Sequence, residues 1–167
     1  MDELVVVRHA IAEARDASRW PDDAQRPLTA DGAKRFARAA RGLGRVLPEV
    51  DAVLASPYVR AWQTAELLER EAGWPAPERR DALGADRPPA DVVAALRDAD
   101  DRRSVAVVGH EPQLTQLVSL LLAGDRGRVP LELRKGGAVV LGCPGGAAPG
   151  TAVLRWAVSP KLLRALA

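Results

Sequence analysis

The stretch ELVVVRHA, residues 3–10, decides the predicted fold of this 167-residue chain. Its apolar core, LVVV, is an uninterrupted run of the kind that forms a strand buried on both faces of a sheet. Two comparable runs follow along the chain, DAVLAS at residues 51–56 and VAVV at residues 105–108. Arg8 and His9 come directly after the first run, so a charged and a titratable side chain are expected where that strand ends.

Segments with helical signals separate these apolar runs. Thr29 can cap the first helix at its N-terminus. Ser56 is expected to cap the second helix, with Pro57 at its first position, and that helix should run to about Glu71. Apolar residues recur at helical spacing in the first helix, at Phe36, Ala40, Leu43 and Leu47. Further helices are predicted around residues 92–96, over residues 113–123 and from Pro160 onward.

The remaining segments connect these elements. Residues 10–27 show neither helical nor strand periodicity and are expected to form a long loop. Prolines interrupt the regular hydrophobic pattern over residues 73–90. Two apolar segments around a Gly/Pro-rich turn, residues 138–141 and 151–158, predict a hairpin. Strands that alternate with helices predict an α/β fold, with a mostly parallel central sheet and helices on both faces. We expect one domain over residues 1–167.

Composition and charge exclude several classes of protein. The chain has 24 basic and 22 acidic residues, a net charge of +2, and no Lys/Arg block interleaved with aromatic residues, which argues against nucleic acid as a partner. No uncharged apolar run reaches the roughly 20 residues that a membrane helix needs. The lone Cys143 cannot form an internal disulfide, which predicts a reducing, cytoplasmic location.

Three groups distant in sequence follow the predicted buried strands. They are Arg8 with His9, Arg60 in the helix after the second strand, and His110 after the third. Ligands of such sheets bind beyond the carboxyl ends of the strands, so these side chains are expected to meet. Arginine forks match phosphate oxygens, one neutral imidazole can attack phosphorus, and the second can donate a hydrogen bond. The pattern predicts an anion pocket that contains a nucleophile.

Other chemistries lack their sequence signals. Two histidines and one cysteine do not give a zinc site at any usual spacing, and the P-loop and G-x-S-x-G patterns are absent. Gly42 and Gly44 lie in a helical pattern without the third glycine of a dinucleotide-binding loop. We therefore expect neither a cofactor nor a metal, with arginine supplying the positive charge.

The motifs around these residues form a recognisable set. In order they are Arg8-His9-Ala10, the RPLT element at residues 26–29 with Gly32, SPYVRAWQT at residues 56–64, and GHEP at residues 109–112. With these motifs the chain resembles the histidine phosphatase superfamily, which includes the cofactor-dependent phosphoglycerate mutases. Its length and its RPLT and GHEP elements are most similar to the small bacterial phosphohistidine phosphatases. The resemblance covers essentially the whole chain.

The resemblance implies a three-layer phosphoglycerate mutase-like fold and a metal-independent phosphatase. His9 would be the phosphorylated nucleophile, and Arg8, Arg60 and His110 would bind the phosphoryl group. Arg26 would border the pocket, or would instead pack the long loop against the first helix. The implied substrate is phosphohistidine on a protein, for example a histidine phosphotransfer domain. The alternatives are a small phosphorylated metabolite and a non-catalytic module that binds phosphate or a phosphoprotein.

The general acid is the point at which the chain departs from the larger members of the superfamily. Those members carry an acidic residue between the arginine motif and the second histidine. This chain offers Asp81 and Asp86 in that segment, without a recognisable motif, and Glu111 just after His110. Imidazole, with a conjugate-acid pKa of about 6.5, leaves with less protonation than an alkoxide does. A site without a clear acid therefore favours a phosphohistidine substrate.

Overall fold

The computed structural model describes residues 1–99 and 101–167. Within these residues, six strands form one sheet and five α-helices cover it. The strands are β1 (Glu3–Arg8), β2 (Ala52–Ala55), β3 (Pro77–Arg79), β4 (Ser104–Gly109), β5 (Ala138–Gly142) and β6 (Val153–Val158). The helices are α1 (Ala30–Val46), α2 (Val59–Ala72), α3 (Pro89–Arg97), α4 (Gln113–Ala123) and α5 (Pro160–Ala165). None of the helices in the described part of the chain is long and apolar enough to cross a membrane.

The sheet has the strand order β3-β2-β4-β1-β5-β6. The first four strands in this order run parallel, and β5 and β6 pair antiparallel with their neighbours. The predicted mostly parallel sheet and the C-terminal hairpin are therefore confirmed. The central strands β1 and β4 pair in register, with Leu4 opposite Val105.

The apolar run of β1 supplies both layers of the core. Val5 and Val7 face a cluster that contains residues of α1, α2 and α5, whereas Leu4 and Val6 face a cluster built on α3 and α4. All four side chains are fully buried. Alternate residues of a strand point to opposite faces, so an uninterrupted apolar run requires covering on both sides. The predicted three-layer α/β fold is confirmed.

The structure corrects the predicted start of the second helix. Helix α2 begins at Val59 with Tyr58 as its N-cap residue, so Ser56 does not cap it and Pro57 is not its first residue. Instead, the Ser56 hydroxyl lies against His110. The sequence also missed β3, since Pro77 and the nearby prolines resemble a loop. Proline is tolerated there because β3 is an edge strand and Pro77 is its first residue.

The predicted long loop is anchored to the start of α1. Thr29 caps α1 as predicted, accepting a hydrogen bond from the Gly32 amide, and its own amide donates to the Ile11 carbonyl. A Cβ atom at Gly32 would lie 2.1 Å from that carbonyl oxygen. Glycine is therefore needed at position 32 because the backbone just after His9 packs directly on the helix.

The carboxyl ends of β1, β2 and β4 meet at one edge of the sheet. The His9 amide donates to the Gly109 carbonyl over 3.0 Å, and the Ser56 amide donates to the Val108 carbonyl over 3.0 Å. These two backbone bonds hold the residues just beyond three strands side by side. The position of the functional site follows from this convergence.

Candidate active site

A cavity of about 310 Å³ opens at this edge of the sheet. All five site residues predicted from the sequence line it, and so do the candidate acid Glu111 and Lys135. We call this cavity the histidine pocket, and its functional side chains are Arg8, His9, Arg26, Arg60, His110, Glu111 and Lys135. The structure thus brings together residues that are distant in sequence, as their positions after the strands predicted.

His9 is held so that one ring nitrogen is available to a ligand. Its Nδ1 lies 2.7 Å from the carbonyl oxygen of Ala10, which can only accept, so Nδ1 carries the hydrogen. The other nitrogen, Nε2, therefore carries the lone pair. Burial lowers the pKa of His9 to about 3, and the positive charges of Arg60 and Arg8 add to this effect. His9 is a neutral imidazole with a nucleophilic Nε2 at ordinary pH.

Ser56 fixes the tautomer of His110. The Ser56 hydroxyl accepts a hydrogen bond from the Tyr58 amide over 3.3 Å and lies 2.9 Å from Nε2 of His110. Nε2 is the one acceptor that the described residues offer to the hydroxyl hydrogen, so the hydroxyl donates to Nε2 and the hydrogen of the neutral ring lies on Nδ1. Nδ1 is buried and has no hydrogen-bond partner among the described residues. It is a donor without an acceptor, as a phosphoryl-binding group requires.

The two imidazoles lie in a group of rings that pack at tilted angles. The ring centroids of His9 and His110 are 5.1 Å apart, and Tyr58 packs on His110 at 4.9 Å. The guanidinium of Arg60 lies 5.0 Å from the centre of the Tyr58 ring. Burial lowers the pKa of His110 to about 2, with smaller contributions from His9 and Arg60. Both histidines are therefore neutral, and the arginines supply positive charge.

Asp23 holds two arginines of the histidine pocket in place. Its Oδ2 lies 3.0 Å from Nη2 of Arg60 and its Oδ1 lies 2.8 Å from Nε of Arg26. Arg60 Nη1 also donates to the Asp23 carbonyl, and Arg26 Nη1 donates to the Glu13 carbonyl. The hydrogen bond from Arg26 is the main cause that lowers the pKa of Asp23. Asp23 was not predicted from the sequence, in which its only signal is its position three residues before Arg26.

The arginines keep donor atoms free for a ligand. Arg8 donates from Nη1 to the Leu133 carbonyl over 2.8 Å, which leaves its Nε buried without a partner among the described residues. Nε of Arg60 is also buried and has no hydrogen-bond partner among the described residues. Lys135 adds a further cation, although burial and the neighbouring arginines lower its pKa. In residues 1–99 and 101–167, no group of three or more His, Cys, Asp or Glu side chains is placed to hold a metal ion.

Thr64 and Gln63 position the backbone around these groups. The Thr64 hydroxyl donates to the Arg60 carbonyl over 2.7 Å and accepts from the Ala10 amide over 3.0 Å. Thr64 thus joins α2 to the residue after His9. The side-chain oxygen of Gln63 accepts from the Leu28 amide over 2.8 Å, which fixes the RPLT element beside the pocket.

The candidate proton donors differ in whether they line the histidine pocket. Asp81 and Asp86 are exposed, and Asp86 lines a neighbouring cavity rather than the histidine pocket. Within the described residues, the carboxyl groups that line the histidine pocket are Glu13 and Glu111. Burial raises the pKa of Glu111. Its Oε2 accepts a hydrogen bond from the Thr115 hydroxyl over 2.8 Å, and its buried Oε1 has no partner among the described residues. Glu111 is the carboxyl best placed to hold a proton.

Comparisons with known proteins fit this geometry. Residues 4–84 match the model of the histidine phosphatase superfamily, branch 1. The protein histidine phosphatase SixA, solved in complex with tungstate, aligns over 96% of this chain and 99% of its own with a TM-score of 0.82 and 26% identity. The chain belongs to the histidine phosphatase superfamily. A Nakamurella multipartitia protein that carries the same SixA name aligns over 95% of this chain and 96% of its own, with a TM-score of 0.79 and 27% identity.

A sequence relative extends the comparison. An uncharacterised protein of Picosynechococcus sp. strain PCC 7002 is 33% identical over 152 residues, which cover 87% of each chain. The superfamily match and the SixA structures together support phosphatase activity for this chain.

We expect Ser56→Ala to lower kcat/KM, because without the Ser56 hydroxyl nothing keeps the hydrogen of His110 on Nδ1. The loss of one buried hydrogen bond corresponds to about a fivefold to tenfold effect. The matched control is Ser119→Ala, which removes an equally buried hydroxyl that bonds Asp125 and Val129 away from the histidine pocket. Steady-state kinetics on an aryl phosphate would compare the two variants. Equal rates for both would show that Ser56 does not position His110.

We also expect the folded state to lose stability on acidification because of the two neutral histidines. Their folded pKa values of about 3 and 2 lie below the ordinary value of 6.5. Between these values the unfolded chain binds more protons, so the free energy of unfolding falls as the pH drops below about 6.5. The slope contributed by each histidine approaches roughly 1 kcal/mol per pH unit.

Urea unfolding at pH 7, 6 and 5 measures this slope. His9→Gln and His110→Gln should each remove about half of the histidine contribution, and neither should change the slope above pH 7. A wild-type slope that both variants retain would mean that the histidines do not carry the acid sensitivity.

Proposed function

We propose that this protein is a metal-independent phosphatase that removes the phosphoryl group from phosphohistidine on a protein. The observation that carries the proposal is the His9 ring, which is neutral, oriented by Ala10, and surrounded by unpaired donors of Arg8, Arg60 and His110. A nucleophile inside a cluster of donors suits transfer of a phosphoryl group better than simple storage of an anion.

The proposed reaction has two steps through His9. In the first, the Nε2 lone pair of His9 forms a bond to phosphorus while the bond from phosphorus to the substrate nitrogen breaks. The substrate ring carries its proton on its other nitrogen, so the bonding electron pair stays on the departing nitrogen and the ring leaves as neutral imidazole. The ring of phospho-His9 is then an imidazolium, whose Nδ1–H donates a hydrogen bond to the Ala10 carbonyl. In the second step, water attacks phosphorus, inorganic phosphate leaves, and the electron pair returns to Nε2.

The arginines and His110 are proposed to bind the phosphoryl oxygens throughout both steps. Nε of Arg8, Nε of Arg60 and Nδ1 of His110 are buried donors that lack a partner within the described residues. Donors that are fixed before the reaction stabilise the charge that develops on the transferring group without reorganising. In this arrangement the arginines supply the positive charge that a metal ion supplies in other phosphatases.

Two considerations support phosphohistidine as the substrate. Imidazole leaves as a weaker base than an alkoxide, whose conjugate acid has a pKa near that of water at about 15.7. The chain is also similar to SixA, a protein histidine phosphatase, over nearly its whole length. The proposed partner is therefore a phosphorylated protein, such as a histidine phosphotransfer domain.

Glu111 favours a second candidate function, hydrolysis of a small phosphorylated metabolite. A carboxyl group with a raised pKa inside the histidine pocket can protonate an alkoxide as it leaves. A non-catalytic binding module is the weaker alternative, because such a module has no use for a free Nε2 on His9. The proton demand of the leaving group therefore separates the two enzymatic functions.

We further propose a cytoplasmic location, in keeping with the single free cysteine. Cys143 is buried, and burial raises the pKa of its thiol to about 11. A buried thiol of high pKa is chemically inert, so Cys143 takes no part in the proposed reaction.

We expect the reaction to pass through phospho-His9 and to survive excess chelator. Wild-type protein quenched during turnover of a labelled substrate should carry label that is acid-labile and base-stable, as a phosphorus–nitrogen bond is. His9→Ala should carry no label and show no turnover, yet should still bind tungstate through Arg8, Arg60 and His110. Turnover near wild type in His9→Ala, or activity lost with chelator and restored by magnesium, would contradict this mechanism.

We expect Glu111→Gln to distinguish the two candidate functions. It should lower kcat/KM for an alkyl phosphate by about 10²-fold or more, but should lower the value for a phosphohistidine peptide by less than about tenfold. Glu13→Gln, which changes the other carboxyl of the pocket, is the matched control and should affect both substrates alike. If wild-type protein prefers the alkyl phosphate, the small-metabolite function replaces the phosphohistidine one.

A further inference from the structure

A second, larger cavity lies beside the histidine pocket. Its volume is about 640 Å³, and it is an open groove between α1, α5 and the turn that precedes β5. Its apolar floor includes Ile11, Phe36 and Ala39. We call it the cationic groove because six basic residues line it: Arg8, Arg35, Arg134, Lys135, Lys161 and Arg164. Apart from Arg8, which lines both cavities, no lining residue of this groove has a part in the proposed two-step reaction.

The groove carries a strong excess of positive charge. Glu132 is the one acidic residue among its lining residues in the described part of the chain. Arg134 pairs with Glu132 at 3.1 Å and Arg35 pairs with Asp31 at 3.5 Å, and all four side chains are at least half exposed. Such exposed pairs contribute little, so their charges are still available to a partner. Lys161 and Arg164 form no ion pair with a carboxylate of the described residues.

The cationic groove is continuous with the histidine pocket. Arg8 and Lys135 line both cavities. The Gly136 amide donates to the carbonyl groups of Arg8 and His9, which ties the groove wall to the end of β1. A polypeptide whose phosphorylated side chain reaches His9 therefore lies next to the groove, and its neighbouring residues can occupy it.

Close backbone packing fixes the walls of the groove. A Cβ atom at Gly42 of α1 would lie 1.9 Å from the carbonyl oxygen of Leu163, so α5 rests directly on α1. Gly136 has a φ of 76°, a conformation that favours glycine, and a Cβ there would lie 3.0 Å from Phe36. The basic side chains thus extend from a rigid support formed by three parts of the chain.

We propose that the cationic groove binds an acidic segment of the phosphorylated protein whose phosphoryl group enters the histidine pocket. This inference rests on the proposed function and adds a specificity determinant to it. Positive potential beside the site steers an acidic partner and stabilises its encounter complex. The floor favours a polypeptide over a nucleic acid, because Ile11 is 37% exposed whereas Phe36, the aromatic residue of the lining, is buried and cannot stack on a base.

Two phosphohistidine peptides of equal length test the proposal on the wild-type protein. One has Asp and Glu on both sides of the phosphohistidine, and the other has Asn and Gln at the same positions. The acidic peptide should have the higher kcat/KM by at least about tenfold at low salt, mainly through KM, and this advantage should shrink as the ionic strength approaches about 0.5 M. An aryl phosphate serves as the substrate that does not reach the groove.

Charge reversal within the groove gives the second arm. The double variant Lys161→Glu/Arg164→Glu should lose at least about tenfold more kcat/KM on the acidic peptide than on the aryl phosphate. The matched control is Lys34→Glu/Arg38→Glu, which makes the same change in net charge on exposed positions of α1 outside the groove lining. It should lower both values alike. Circular dichroism establishes that both variants are folded.

Each outcome bears on one proposal. Equal turnover of the two peptides, or equal losses in the two double variants, would overturn the groove inference and leave the phosphohistidine function intact. Turnover of the aryl phosphate with neither peptide hydrolysed would overturn the phosphohistidine function instead. An oligonucleotide that competes more strongly than an unphosphorylated acidic peptide would show that the groove binds nucleic acid, contrary to the inference.

Discussion

The parallel pairing of β1 with β4 is the constraint on which the site depends. Arg8 lies opposite Gly109, and the next backbone bond joins the His9 amide to the Gly109 carbonyl over 3.0 Å. This register places the two imidazoles 5.1 Å apart although they are about a hundred residues apart in sequence. A shift of one residue would exchange the side chains that face the two core clusters and would bring Glu3 or Arg8 into the buried run, so core packing favours the register that the chemistry needs.

Burial makes the histidine pocket reactive, and it also costs free energy of folding. Loss of water keeps His9 and His110 neutral, which leaves a lone pair on one ring and an unpaired donor on the other. The same loss of water leaves Nε of Arg8, Nε of Arg60 and Nδ1 of His110 without partners among the described residues. A buried donor that stays unpaired costs on the order of 1–3 kcal/mol. A phosphoryl group would satisfy all three at once, so binding recovers what folding gives up.

The sequence predicted the strands and the ends of strands better than the groups that orient the site. Uninterrupted apolar runs identified β1, β2 and β4, and the strand-end rule then selected His9 and His110. The role of Ser56 was assigned wrongly, because a serine before proline has the local signature of a cap while its real partner is 54 residues away. Asp23 was missed for the same reason, and Glu111 was named only as one of three candidate acids. Their contacts depend on how a long loop and a helix start meet in space, which no local pattern encodes.

The donors of the histidine pocket are fixed around His9, where the proposed phosphoryl group would lie. Asp23 holds Arg60 and Arg26, and the Leu133 carbonyl holds Arg8, so these arginines are fixed beside His9. Such a pocket recognises what all phosphorylated substrates share, and uniform binding of that group cannot discriminate among them. Selectivity must then arise at the two places where substrates differ. One is the leaving atom, whose demand for a proton Glu111 can meet. The other is the surface beyond Arg8 and Lys135, where the chain surrounding the phosphorylated side chain has to lie.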